Sequence, residues 1–358
     1  MLLIVGGGWL YHLGVFAPSS VSKSPPATPA TLRAAAQARN FLIGAAASAA
    51  ALRTDAIYSQ LLAQEYNLTE PGFETRFDRV RPSRAEFKFA ESDAVIDFAN
   101  ANGMKVIGHP LVPPYAIPEW LTKGNFPPSE ISAILKEYIQ AMLRRYRGRI
   151  YSWDAATAIF DNLGAMSETF WSKAIGPDYI EQVLGWAREA DPQVKLFLHD
   201  YNYSFAPRGG SSDAIYDLIR KLRARGTPVD GITMGLTLLL NRLPKLEDVA
   251  TNMKRLAALG LELHVEHFEM SVPLAPSDQD LQRQAAAYRD YLDTCLLNTS
   301  CKAFLIWGLT DKDSSIGTTN RWPGMNVGAA MPFDAAYKPK PAYKAMLDAL
   351  NDRRVDLR

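Results

Sequence analysis

Eight short apolar runs alternate with longer stretches of helical period along this chain, and this alternation limits the fold more than any other feature. Parallel strands need long crossover connections, and helices normally supply them. The candidate strands are FLIGAAAS from Phe41, EYNLTE from Glu65, KVIGHPL from Lys105, YSWDAAT from Tyr151, KLFLHDY from Lys195, GITMGLT from Gly231, ELHVEHFE from Glu262 and AFLIWGL from Ala303. Gly103, Gly148, Gly226 and Gly260 each follow a helical stretch, where a residue tolerant of positive φ closes the last turn. Between Ser129 and Arg147, Ile131, Leu135, Tyr138 and Met142 recur on one face, as a helix lying on a barrel requires. A doubly wound sheet usually has fewer strands. The pattern therefore predicts an α/β fold, a (β/α)8 TIM barrel in a single domain over residues 32–358, with its chemistry at the carboxyl ends of the strands.

Upstream, residues 1–17 are hydrophobic and uncharged, and residues 18–31 are rich in Pro, Ser and Thr. They read as a membrane anchor or signal segment followed by a linker, which predicts an extracytoplasmic protein, either membrane-anchored in the periplasm or at the cell surface, or secreted. His12, inside this segment, is expected to be incidental. The two cysteines, Cys295 and Cys301, have five residues between them in CLLNTSC. That spacing suits a small disulfide loop, which the oxidising compartment favours, or two buried thiols. With 39 basic against 38 acidic residues, the net charge of +1 provides no footprint for nucleic acid. NLT at Asn67 and NTS at Asn298 fit the glycosylation triplet, a pattern common by chance.

Longer segments carry a resemblance. They are FDRVRPSRAEFKFAESDAVIDFANANGMKVIGH, IYSWD, GPDYIEQVLGWAREADPQVKLFLHDYN, PVDGI, FLIWGLTDKDSS and KPKPAY. In this order and at these spacings, from about Leu32 to Leu350, the chain resembles glycoside hydrolase family 10, the xylanase family. The resemblance implies a TIM barrel, a disulfide between Cys295 and Cys301, and retaining cleavage of β-1,4-xylan by two carboxyl groups about 5–5.5 Å apart. It places the acid/base glutamate, last in Trp-Asp-Val-Val-Asn-Glu, on Ala158 of WDAATA, with Thr157 on the neighbouring asparagine. The nucleophile of Ile-Thr-Glu-Leu-Asp falls on His267 of VEHFE. Sugar-binding positions fall on Gly72, Phe73, Arg76, Pro113, Pro114, Ala116, Gly235, Thr237 and Ser315, while His109 and Trp307 keep the family's residue types.

Strand alternation puts His267 and Glu269 on one face and turns Glu266 and His264 towards the helices unless a bulge intervenes. The polar residues expected in the mouth are His109, Asp154, His199, Tyr201, His267 and Glu269, with Arg76 and Trp307 nearby. If the site is active, its catalytic groups are His267, Glu269 and Asp154; otherwise these residues form a satisfied polar plug in a disused cleft. Asp154 is expected to support folding. Histidines on the third, fifth and seventh strands could converge with Glu269 on a metal, but no local ligand motif accompanies them, so neither a metal nor a cofactor is expected. Tyr115 and Trp120 read as a cleft rim or as core under a loop. The expected function is a non-catalytic, membrane-anchored barrel that engages a protein partner or membrane complex. Two alternatives remain: a polysaccharide-binding protein with a remodelled cleft, and an enzyme with altered acid/base chemistry at His267 and Glu269.

Overall fold

In the computed structural model, residues 30–201, 210–314, 316 and 325–352 are described. The expected anchor over residues 1–17, the linker up to residue 29, His12 and Ser315 lie outside them. Each apolar run contains a strand: β1 (Leu42–Ala47), β2 (Leu68–Pro71), β3 (Lys105–Gly108), β4 (Ser152–Thr157), β5 (Lys195–Tyr201), β6 (Gly231–Leu239), β7 (Glu262–Pro273) and β8 (Cys301–Ile306). Neighbours pair in parallel from β1 to β8, and the β1–β8 pairing closes the barrel. The fold is the expected single-domain (β/α)8 barrel.

Several strand boundaries differ from the sequence reading, and one strand is added. β2 begins at Leu68 rather than Glu65, because Glu65 ends the helix Ala56–Glu65 and its carboxylate accepts the Leu32 amide at 3.1 Å and the Tyr343 hydroxyl at 3.0 Å. A short strand, β9 (Val327–Gly328), pairs antiparallel with the end of β7. Two residues offer no alternation from which such a strand could be read.

The helices cover the barrel through the faces that the sequence marks. Helix Pro128–Arg145 starts with proline, whose missing N–H is no loss in a first turn, and buries Ile131, Leu135, Tyr138 and Met142 together with Ile134, Ile139 and Leu143. Each such side chain contributes about 2 kcal/mol relative to exposure. Gly103, Gly148, Gly226 and Gly260 all take positive φ, between 63° and 77°. Cys295 and Cys301 form a disulfide joining helix Asp278–Leu296 to β8. Asn67 does not suit glycosylation, for its buried amide accepts the Ile43 N–H at 2.8 Å and donates to the Phe41 carbonyl at 2.9 Å. Among the described residues, no helix is long and apolar enough to cross a membrane.

Candidate active site

Side chains from six consecutive strands or their ends meet inside the barrel. Asp154 on β4 is the hub: its Oδ2 lies 2.7 Å from His109 Nδ1, just beyond β3, and 2.9 Å from His199 Nδ1 on β5, and its Oδ1 accepts the Thr233 hydroxyl of β6 at 2.7 Å. A carboxylate only accepts, so both Nδ1 atoms carry the proton. On β7, Glu266 Oε1 lies 3.1 Å from His264 Nδ1 and His267 Nε2 lies 3.0 Å from Glu70 Oε1. Glu70 belongs to β2, which is not a neighbour of β7 in the barrel, so the contact crosses the axis. His109, Asp154, His199, Glu70, Glu266 and His264 are buried.

Charge in this interior is balanced by imidazole alone, since no Lys or Arg among the described residues forms an ion pair with Asp154, Glu70 or Glu266. Burial opposes the charge of Asp154, but His199 and His109 outweigh it and hold its carboxyl well below the usual range. Burial, reinforced by the neighbouring carboxylates Glu266 and Asp154, pushes Glu70 well up. Burial and Asp154 push Glu266 up to about 7. His109 is pushed down by burial, whereas for His264 the bonds to Glu262 and Glu266 overcome burial and raise it.

The inward direction of Glu266 and His264 corrects the alternation argument. The pairing of β7 slips between Val265 and Phe268 on one side and opposite Gly235 and Thr237 on the other, and His267 has φ of 50°. This is a bulge. Residues 264 and 266 face the axis below it, residues 267 and 269 face the axis above it, and Phe268 turns outward against Tyr288 and Tyr291. Glu266 nonetheless lies beneath the mouth and does not line it.

Among the described residues, the mouth above this cluster is open. A cleft of about 440 Å³ is lined by Gly72 and Phe73 after β2, His109, Pro113 and Pro114 after β3, Thr157 and Tyr201 at the ends of β4 and β5, Thr237 on β6, and His267, Glu269 and Trp307. The hydrogen-bonded polar cluster lies beneath the cleft, and the small residues at these strand ends leave space above it. Trp307 lies over His267 with ring centres 3.9 Å apart, and Phe73 meets its edge at 5.8 Å. Glu269 accepts the Ser314 hydroxyl at 2.8 Å. Arg76 reaches the cleft while bonded to Asp78 at 3.1 and 2.8 Å. Tyr115 is 59% exposed on the rim, whereas Trp120 packs on Phe126 and donates to the Arg81 carbonyl at 3.0 Å. Ala158 has the same left-handed φ of 50° as His267.

The family model for glycosyl hydrolase family 10 matches residues 31–349. The chain belongs to glycosyl hydrolase family 10. Among family 10 relatives, it is 32% identical over 299 residues to endo-1,4-beta-xylanase B of Thermotoga neapolitana, covering 83% of this chain and 84% of that protein. It is 30% identical over 286 residues to an endo-1,4-beta-xylanase of Agaricus bisporus, covering 79% of this chain and 83% of that protein. The solved structure of xylanase 10B from Thermotoga petrophila in complex with xylobiose superposes with a TM-score of 0.86 at 30% identity, covering 91% of this chain and 98% of the other.

These family 10 relatives overturn the expectation of a non-catalytic, membrane-anchored scaffold. They are xylanases matched along most of their length, and the cleft lies at the end of the barrel where such chemistry is performed. The expectation weighed replaced side chains one at a time and could not weigh the space they leave. Of the anticipated residues, His109, Tyr201, His267, Glu269, Arg76 and Trp307 line the cleft, while Asp154 and His199 lie beneath it. Glu70, Thr233 and Ser314 were not anticipated. Glu70 ends the apolar run of β2, and a lone acid at the carboxyl end of a barrel strand was the available signal.

Proposed function

We propose that this protein is a xylanase-like glycoside hydrolase that takes a β-1,4-linked xylo-oligosaccharide or xylan chain in the cleft above His267. The observation that carries the reading is the open cleft at the family's catalytic end, with Trp307 and Phe73 presenting aromatic surface beside His267 and Glu269. Sugar rings present faces of C–H groups that pack on such surfaces, while their hydroxyls need polar partners of the kind that His109, Tyr201 and Thr237 provide. Trp307, fixed against two imidazoles, makes the platform rigid.

On the family resemblance the acid/base and nucleophile positions are Ala158 and His267, so double displacement between two carboxylates is not the route. Glu269 is the single carboxylate among the described lining residues. Hydrolysis in one step fits better, with water attacking the anomeric carbon and the configuration inverting. His267, backed by Glu70 at 3.0 Å, can take the proton of that water, while Glu269, entering the step as a carboxylic acid, gives its proton to the departing glycosidic oxygen as the bond from that oxygen to the anomeric carbon breaks. The disulfide suits an oxidising, extracytoplasmic compartment.

The test is incubation with xylan and xylohexaose, with products separated by chromatography and the first-formed anomer read by NMR. Shorter oligosaccharides with inverted configuration are expected, and Glu269→Gln and His267→Ala should each lower kcat by about 100-fold or more. Intact xylohexaose after prolonged incubation, whether or not it binds, would overturn the reading.

A further inference from the structure

Four of the five histidines in the chain stand inside the barrel, and three of them form a triangle. The ring centres of His109, His199 and His267 are 4.9, 4.6 and 4.7 Å apart, and one ligand-capable atom from each lies within 4.8 Å of the others. Three imidazoles bound tetrahedrally at about 2.05 Å place their ring centres about 5 Å apart. The triangle needs little adjustment to reach that geometry.

The carboxylate of Asp154 decides which nitrogen of His109 and His199 carries the proton. Asp154 takes the Nδ1 protons of both His109 and His199, which leaves a bare lone pair on Nε2 of each. Glu70 Oε1 lies 3.0 Å from Nε2 of His267. A buried carboxylate on the far nitrogen of each ligating histidine is the arrangement that fixes tautomer and ring orientation at metal centres. His199 Nε2 is fully buried and makes no hydrogen bond. A buried ring nitrogen left in that state has lost its hydration with nothing to offset the loss. Gly235 accommodates it, for a Cβ there would fall 2.6 Å from His199 Nε2.

We propose that His109, His199 and His267 bind a divalent first-row transition metal, Zn²⁺ by preference, at the floor of the cleft. Neutral imidazoles suit Zn²⁺, and Ca²⁺ and Mg²⁺ require oxygen donors. His109 and His267 line the open cleft, so the fourth position faces the space in which ligands are received, as in an open three-ligand site. The ion also supplies the positive charge that the interior lacks between Asp154, Glu70 and Glu266. This inference does not depend on the protein hydrolysing xylan; with the ion bound, water is activated by the metal rather than by His267 as a base.

The full-length protein, stripped with a chelator and dialysed, should bind one Zn²⁺ by calorimetry and one Co²⁺ with the visible bands of tetrahedral coordination. His109→Gln and His199→Gln should each weaken binding by about 100-fold, and Asp154→Asn, which leaves the three ligands in place, by about 10-fold. Circular dichroism of each variant shows that the barrel is folded, and if one glutamine variant does not fold, the other decides. Glu266→Gln should leave the stoichiometry and the cobalt spectrum unchanged. Absence of Zn²⁺ uptake by the wild type, uptake that both histidine variants retain, or uptake lost in Glu266→Gln alone would overturn the assignment.

Discussion

Ala158 and His267 share a φ of 50°, a conformation in which a Cβ crowds the following carbonyl and costs about 1–2 kcal/mol. Glycine at position 158 removes that clash but makes the unfolded chain more flexible, which returns part of the gain. Ala158→Gly is therefore expected to stabilise the protein by about 0.5–1 kcal/mol in urea denaturation. Ala156→Gly, two residues earlier on extended and buried β4, should destabilise it by about 1 kcal/mol, so the pair isolates the backbone effect from the loss of a methyl group. A sequence names the residues in the mouth without showing this strain. His109, Tyr201, His267, Glu269 and Trp307 were readable because strand ends in a TM barrel point to one place. The inward turn of Glu266 and His264 was not, because one left-handed residue reverses the alternation on which the reading depends.

Along β7 the amino-terminal end is held by different chemistry from the mouth. Glu262 accepts from Tyr151 at 2.6 Å, lies 3.0 Å from His264 Nε2, and pairs with Lys195. Burial opposes its charge, but the bonds from His264, Lys195 and Tyr151 prevail and bring its carboxyl down to about 2. A carboxyl with a folded value below its unfolded one adds stability above the unfolded value and loses it as pH falls through the folded one. For Glu262 the window runs from the ordinary value of 4.5 down to about 2. Wild type should therefore lose up to about 3 kcal/mol more than Glu262→Gln between about pH 5 and about pH 2.5, measured by urea denaturation at each pH. Equal losses would show that the lower end of β7 carries no such linkage. The sequence predicted this strand but not its partners, because Tyr151 and Lys195 reach Glu262 only once β4, β5 and β7 close into one barrel.

At the scale of the whole barrel, sequence and structure agree for a physical reason. Eight strand and helix units each bury one face, and that demand is repeated so often that the period survives substitution at any single position. A cleft has no such redundancy. Its openness depends on the volume that Gly72, Pro113 and Thr237 leave between strand ends that are far apart in the chain, and no local pattern encodes that volume. Occupying the cleft should stabilise the whole fold, because a ligand that binds only the native state shifts the equilibrium by mass action. Xylohexaose at about 100 times its Kd adds about 2.7 kcal/mol, equivalent to about 4 °C in Tm for a barrel of this length. Trp307→Ala removes the platform and should abolish the shift, whereas Trp120→Ala, outside the cleft, should lower the baseline Tm and keep it. Thermal scans of the three proteins with and without the oligosaccharide separate the two effects, since only loss of the cleft makes Tm indifferent to sugar.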